Sequence, residues 1–256
     1  MDVNTEAVPG PGHRYDTLAP IYESGSNFAF YRRVAEYLAP EFGRAMTGRA
    51  LDLGCGTGIS TDVWASHTPQ LSWTGLDASS GMLGLARAKS RSREIRFSLG
   101  EAEALPFDRD EFAAVGSSFA LHWMKPRALE ESRRVLQPGG ILALAVPLAS
   151  TGSGREGNRQ LLRWIWKARE GMTALRSQGL DLDDLERSLT GWRIERLEEV
   201  RLIERMGSSS ELWKVLQSRG SWNAIAGDGA PDLDPTGSEP LEFEWRMGLI
   251  AARKVF

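Results

Sequence analysis

The run Ala50-Leu51-Asp52-Leu53-Gly54-Cys55-Gly56-Thr57-Gly58 constrains the fold more than any other stretch of this chain. Apolar residues lead directly into glycines at every second position. Glycine admits positive φ and lets a ligand touch the backbone. An apolar strand that ends in such a turn and opens a helix therefore makes a cradle for a nucleotide-like ligand. Leu71-Ser72-Trp73-Thr74-Gly75-Leu76-Asp77 then supplies a second strand ending in an acid, placed to hold a ribose.

The strand–helix unit repeats. Strands are expected at Arg49–Leu53, Leu71–Asp77, Ile95–Leu99, Phe112–Ser117 and Ile141–Val146. Helices are expected at Ile59–His67, Ser80–Lys89 (capped by Ser79 or Ser80) and Pro126–Leu136, the last stopped by Gln137-Pro138-Gly139-Gly140. Residues 141–146 are apolar throughout, as a central parallel strand requires. Such alternation predicts a doubly wound α/β sheet. Ahead of it, residues 15–42 read as helical, with Leu18, Ile21, Tyr22, Phe30, Val34, Tyr37 and Leu38 at helical spacing. Beyond it come breakers at Ser150, Gly152, Ser153 and Gly154, then a helix carrying Leu161, Leu162, Ile165 and Trp166. A strand at Trp192–Ile203, a helix at Ser210–Gln217 and a Gly/Pro/Asp-rich loop at Ala226–Pro240 follow. Leu241–Met247 alternates strictly and is expected to pair antiparallel with 192–203.

The reading is one domain over 1–256: a flexible tail (1–13), a helical cap (14–45), a ligand-binding core (46–148), a helical insertion and lid (149–220) and a final strand (241–256). Its sheet has seven strands, mostly parallel with an antiparallel last strand. A net charge of −3 argues against general nucleic-acid affinity, which needs a basic surplus. The single cysteine, Cys55, forms no internal disulfide and suits a reducing compartment. No apolar run approaches the roughly 18 residues of a membrane span, and the first residues lack a secretory signal. A cytoplasmic enzyme working away from membranes is the expectation.

Leu51–Gly58 resembles the first motif of the S-adenosylmethionine-dependent methyltransferases with a Rossmann-like sheet (type 11 group). The glycines follow G-x-G-x-G, where dehydrogenases use G-x-G-x-x-G. Gly75-Leu76-Asp77-Ala78-Ser79 resembles the second motif, and Met82 with Leu83 completes its D-x-S-x-x-M-L run. Gly100–Phe107 is similar to G-D-A-E-x-L-P-F, and Arg134–Gly140 to R-V-L-K-P-G-G. The resemblance implies S-adenosyl-L-methionine as cofactor. It places Gly54, Cys55 and Gly56 at the methionine moiety, with Asp52 near its amino group. Asp77, with Ala78 beside it, would accept from the ribose hydroxyls. Glu101 and the Ala102 amide would meet adenine, Met82 would pack on its face, and Ser118 would lie beside the cofactor. Glu101 stands where the family commonly has Asp, and Phe112-Ala113-Ala114-Val115 departs from F-D-x-V.

The acceptor is less plainly written. Ser118-Phe119-Ala120-Leu121-His122-Trp123 resembles the S-N-x-A-x-Q-W run of the malonyl-acyl-carrier-protein O-methyltransferases of biotin synthesis, and Glu211–Gly220 resembles their E-L-L-x-x-L-K-x-x-G-A segment. That likeness implies a small-molecule or acyl-carrier-protein-bound substrate methylated on a carboxylate oxygen. A natural-product or quinone acceptor is the alternative, and a cofactor-binding regulator without turnover is the alternative of another class. An ionised carboxylate needs no base, whereas a phenol or amine needs one. His122 is the candidate base or a positioning residue, and Trp123 is expected to line the pocket. Tyr15 and Tyr22 either cover the methionine end, which makes Tyr22 a catalytic candidate, or staple the cap to the sheet. Arg155, Arg159, Arg163, Lys167, Arg169 and Arg176 either grip an acidic partner or form a solvated helix face.

Overall fold

A computed structural model describes residues 11–24, 26–90, 95–148, 154–169, 182–219 and 237–255. The strands are β1 (Gly48–Leu53), β2 (Leu71–Asp77), β3 (Arg96–Leu99), β4 (Phe112–Ser118), β5 (Leu136–Pro147), β6 (Trp192–Met206) and β7 (Leu241–Lys254). They form one seven-stranded sheet in the order β3-β2-β1-β4-β5-β7-β6. β1 to β5 pair in parallel, and β7 runs antiparallel to both β5 and β6. The expected 241–247 against 192–203 pairing is present and extends over Leu241–Lys254 and Trp192–Met206. The strand order reverses between β1 and β4, which puts the crevice of a doubly wound sheet at their carboxyl ends.

Helices connect the strands: α1 (Pro11–Leu18), α2 (Asn27–Phe42), α3 (Ile59–His67), α4 (Ser80–Lys89), α5 (Arg127–Val135), α6 (Glu156–Arg169), α7 (Leu182–Ser188) and α8 (Ser209–Ser218). Ser79 is the cap of α4, accepting from the Met82 amide at 3.1 Å. Ser208 caps α8 while Glu211 reaches back to the Gly207 amide, a reciprocal cap.

Three expectations need correction. Residues 15–42 are two helices joined by a 3-10 turn at Ala19–Ile21, because Pro20 lacks an amide proton to continue α1. Residues 1–10 of the expected tail lie outside the described residues, and Pro11–His13 already belong to α1. The stop expected at Gln137–Gly140 is itself part of β5: Leu136 pairs with Phe112, and the register shifts before Ala114 meets Ile141. A bulge absorbs the extra residues, and Gly139 at φ +74° makes it possible. The breakers at 150–153 and most of the 226–240 loop lie outside the described residues.

Strand alternation gives the two faces of the sheet different cores. One face carries small residues, Ala50, Ala114, Ala143 and Ala145, against which α2 and α3 lay Phe42 and Trp64 beside Trp73. The other carries Leu51, Leu53, Leu76, Val115, Leu142 and Leu144. The indoles are anchored as well as packed: Trp64 donates to the Ala35 carbonyl at 2.9 Å and Trp73 to Thr68 Oγ1 at 3.0 Å. A Cβ on Gly116 would stand 2.6 Å from Trp64, so glycine lets β4 receive that ring. No helix among the described residues is long and apolar enough to cross a membrane.

Candidate active site

The glycine turn after β1 is held by the end of β2. The amides of Gly54 and Cys55 both donate to the Leu76 carbonyl, at 2.8 and 3.0 Å. The Gly56 amide donates to Asp77 Oδ2 at 2.8 Å, and the Ser79 amide donates to Oδ1 at 2.8 Å. Gly54 and Gly56 sit at φ +68° and +54°, in the left-handed region. A Cβ on Gly54 would stand 2.4 Å from the Ala120 Cβ, whereas one on Gly56 would meet nothing within 4 Å. The first glycine is closed in by the loop after β4, and the second faces open space.

That space is a cavity at the carboxyl ends of β1, β2 and β4, where ligands sit in a doubly wound sheet. Of the residues singled out from sequence, Gly54, Gly56, Asp77, Ala78, Met82, Glu101, Ala102, Ser118 and Tyr22 line it. Leu76, Glu103, Phe119, Ala120 and Met124 join them without a signal in the sequence reading. Asp52 and Cys55 do not line it. Asp52 is fully buried, accepts from Thr61 Oγ1 at 2.6 Å, and has its carboxyl pushed up to about 7 by burial. The Cys55 side chain is buried against Gly75, and burial raises its thiol well above the ordinary range, so it stays protonated.

Asp77 is raised from the ordinary carboxylate value by burial, against the pull of the Ser79, Gly56 and Ala78 amides. Three amide bonds on about four lone-pair sites leave the carboxylate room to accept once more. The Ser118 hydroxyl is buried with no hydrogen-bond partner among the described residues. A glycine turn that leaves room at Gly56, a carboxylate, an unpaired hydroxyl and the buried Met82 form a set that fits a nucleoside carrying an amino-acid tail. S-adenosylmethionine has those parts.

The cap closes this cavity from above the sheet. Asp16 Oδ1, on α1, accepts from Ser79 Oγ at 2.7 Å and from the Gly81 amide at 2.8 Å, latching the cap onto the start of α4. Tyr15 stands edge-on to both Tyr22 and Trp123, with centroids 6.0 and 5.9 Å apart. Tyr22 stacks on Tyr31 at 5.0 Å, and burial raises its hydroxyl well above the usual tyrosine value. Asp16 was invisible in sequence because its partners lie 63 and 65 positions away.

His122 does not line this cavity. It lines a second one, with Tyr15, Tyr31, Phe119, Trp123, Pro147, Arg219 and Trp245. Tyr15, Phe119 and Trp123 border both. Phe119 takes φ +55°, a left-handed backbone rare for so bulky a residue, and turns the chain sharply at the end of β4 toward Phe30 and Tyr31. Burial lowers the His122 imidazole to about 4, so it is neutral near pH 7, and its Nδ1 has no partner among the described residues. Arg219 is bound to Glu204 through Nη1 and Nη2 at 2.7 and 3.1 Å and to Asn27 through Nε at 2.8 Å. Its guanidinium lies over Phe30 at 3.9 Å and Trp245 at 4.7 Å.

Arg155, just ahead of α6, bonds Glu242, while Arg159 and Arg163 on α6 both bond Glu156. Lys167, Arg169 and Arg176 lie outside the described side chains. No group of three or more potential metal ligands occurs among the described residues.

Residues 51–144 match a family model described as a methyltransferase domain. A malonyl-[acyl-carrier protein] O-methyltransferase of Alcanivorax borkumensis is 41% identical over 104 residues, 40% of this chain and 36% of that protein. A demethylmenaquinone methyltransferase of Thermotoga maritima is 32% identical, covering 59% of this chain and 66% of that protein. A malonyl-[acyl-carrier protein] O-methyltransferase of Salmonella typhimurium is 28% identical, covering 70% and 68%. The chain thus spans from about a third to two thirds of these relatives. Among solved structures, the [4+2]-cyclase SpnF superposes with a TM-score of 0.62 at 21% identity, covering 95% of this chain and 94% of that one. A geranyl diphosphate methyltransferase in complex with S-adenosylmethionine gives 0.56 at 15% identity, covering 91% and 92%. At such identities the structures establish the fold alone.

Proposed function

We propose, from the premise that this chain carries a methyltransferase domain of the Rossmann-like, S-adenosylmethionine-dependent class, that it transfers a methyl group to an oxygen of a small or carrier-bound acceptor. The observation that carries the reading is the pairing of two cavities: one fitted to the cofactor, the other sharing its Tyr15, Phe119 and Trp123 wall. When bound, the cofactor supplies a methyl group already activated on a sulfonium. The protein's task is then alignment and drying, which together are worth up to about 7–11 kcal/mol in ideal cases.

Each residue has a part in that task. The backbone at Gly54 and Gly56 receives the methionine end, and the Ser118 hydroxyl binds beside it. Asp77 accepts from the ribose hydroxyls, Glu101 and the Ala102 amide meet the adenine edge, and Met82 packs on its face. Asp52 acts from behind, fixing the end of β1 to α3 through Thr61. The Cys55 thiol packs on β2 at Gly75. Tyr15 and Tyr22, held by the Asp16 latch, keep water from the methyl group.

A carboxylate of the malonyl-carrier kind is one acceptor, supported by the names of two relatives. A natural-product or quinone acceptor is the other, supported by a demethylmenaquinone relative and by the rings of the second cavity. A cofactor-binding regulator without turnover is the reading of another class, since the same fold serves more than one function. Calorimetry with S-adenosylhomocysteine tests the cofactor site: micromolar binding is expected, and its absence rejects the assignment. Incubation with methyl-labelled cofactor and malonyl-carrier tests the first acceptor, which requires a base-labile methyl ester.

A further inference from the structure

Six of the eight side chains lining the second cavity are rings: Tyr15, Tyr31, Phe119, His122, Trp123 and Trp245. Arg219 supplies the one formal charge among the lining side chains at neutral pH, and that charge is already met. Its side chain is 2% exposed, Glu204 grips two of its nitrogens, Asn27 takes the third, and Phe30 and Trp245 pack on the guanidinium. Glu204 is likewise engaged, by Arg219 and by the Trp245 indole. The chamber is therefore neutral overall, and its arginine is a wall rather than a hook. A carboxylate entering it would add a charge with no free partner among the described lining side chains. A flat neutral molecule would gain ring contacts on several sides.

We infer that the acceptor is an uncharged, planar ring compound bearing a hydroxyl group, seated among these rings with His122 taking the hydroxyl proton. The inference rests on the methyl-transfer reading and narrows it. The acceptor oxygen forms its bond to the methyl carbon as the carbon–sulfur bond breaks, the electron pair remaining on sulfur. The hydroxyl proton passes to His122 and then to water. His122 is placed for this step: it lines the chamber and its Nδ1 is not committed to another described group, so it can take the proton once the forming carbon–oxygen bond has made the hydroxyl strongly acidic. An ionised carboxylate would use neither the proton acceptor nor the rings.

The isosteric pair 2-naphthol and 2-naphthoate tests the inference in the full chain saturated with S-adenosylhomocysteine, with tryptophan quenching as the readout. Naphthol is expected to bind at least roughly tenfold more tightly, the least cost of burying an unpaired charge. Equal or tighter naphthoate binding, or binding of neither, overturns the inference. Failure of S-adenosylhomocysteine itself to bind instead strikes the methyl-transfer reading. For the base, methylation of 2-naphthol at pH 7 is expected to slow about 100-fold in kcat in His122→Gln while 2-naphthol affinity changes by less than about twofold. An unchanged kcat, a loss seen in affinity alone, or no methylation of 2-naphthol by the wild-type chain removes His122 from the role.

Discussion

Gly54 and Gly56 share a left-handed backbone but face different surroundings, so a single methyl group at each separates strain from occlusion. At Gly56→Ala the φ of +54° costs about 1–2 kcal/mol for a residue with a Cβ. The lost freedom of the unfolded glycine returns roughly 0.4–1 kcal/mol. No atom lies within 4 Å of the new methyl, so no clash is added. The net loss is at most about 1.5 kcal/mol, or a fall in Tm of at most roughly 6 °C at 2–4 °C per kcal/mol. At Gly54→Ala the same strain applies, and the methyl would also stand 2.4 Å from the Ala120 Cβ and 3.0 Å from the Met124 Cε. Carbon contacts prefer about 3.5–4.0 Å, and overpacking of this kind adds about 1–3 kcal/mol. Thermal melts should therefore show Gly54→Ala as the less stable variant, by roughly 2–12 °C. Calorimetry should show a different pattern. Gly56→Ala, nearly as stable as the wild type, is expected to lose S-adenosylhomocysteine affinity by about tenfold or more, because its methyl occupies ligand space. Wild-type affinity in Gly56→Ala would refute the placement of the cofactor on this turn. Equal melting of the two variants would refute the packing drawn for Ala120.

Three further outcomes follow from other parts of the molecule. Burial raises Asp52 to about 7 from an unfolded value near 3.8. The folded state therefore holds an extra proton between those values, and the group's contribution to stability is lost as pH rises from about 4 to about 7. Asp52→Asn keeps an acceptor for Thr61, so its Tm relative to wild type should rise between pH 5 and pH 8; a constant difference would contradict the burial assigned to Asp52. Arg219→Leu leaves Glu204 unpaired in a half-buried site, with a loss of about 3–5 kcal/mol and a Tm lower by roughly 6–20 °C. Adding Glu204→Leu should recover more than half of that loss in the same melts, and no recovery would mean that the pair is not the source. Asp16→Ala removes the acceptor for Ser79 and Gly81, and stopped-flow displacement should show faster release of S-adenosylhomocysteine with little change in Tm. An unchanged release rate would show that the latch does not hold the cap shut.

The first cavity was legible because its information is local. The turn at 54–58, Asp77, and the Glu101-Ala102 pair each lie within a few residues of a strand end, and strand ends follow from apolar runs and glycines. Helices α3 and α4 and strand β2 fall at the expected residues for the same reason. The acceptor chamber was not legible because it gathers Tyr31, His122, Pro147, Arg219 and Trp245 from five separate segments. Their meeting depends on packing, and no spacing rule records it. Trp123 was expected at the pocket and borders both cavities. Of the arginines at 155–163, the Glu156 partner of Arg159 and Arg163 follows from helix spacing, whereas the Glu242 that occupies Arg155 lies 87 positions away and depends on the fold. Cys55 illustrates the opposite error. Its place in the glycine motif suggested a ligand contact, but at that position the side chain turns away from the cavity and toward β2.

The position of β7 between β5 and β6 has a consequence for how the chain is made. β7 is the latest strand in sequence, yet it fills the gap between two earlier ones. During synthesis, the cofactor cradle at residues 48–148 emerges long before its neighbour in the sheet exists. Until residue 254 has left the ribosome, β5 presents a bare edge along Ile141–Val146, and β6 has no partner in the sheet. An unpaired apolar edge of that length is an invitation to association with other chains. Nascent chains stalled before Leu241 should thus be the ones that need a chaperone, because the strand that covers both edges has not yet been made.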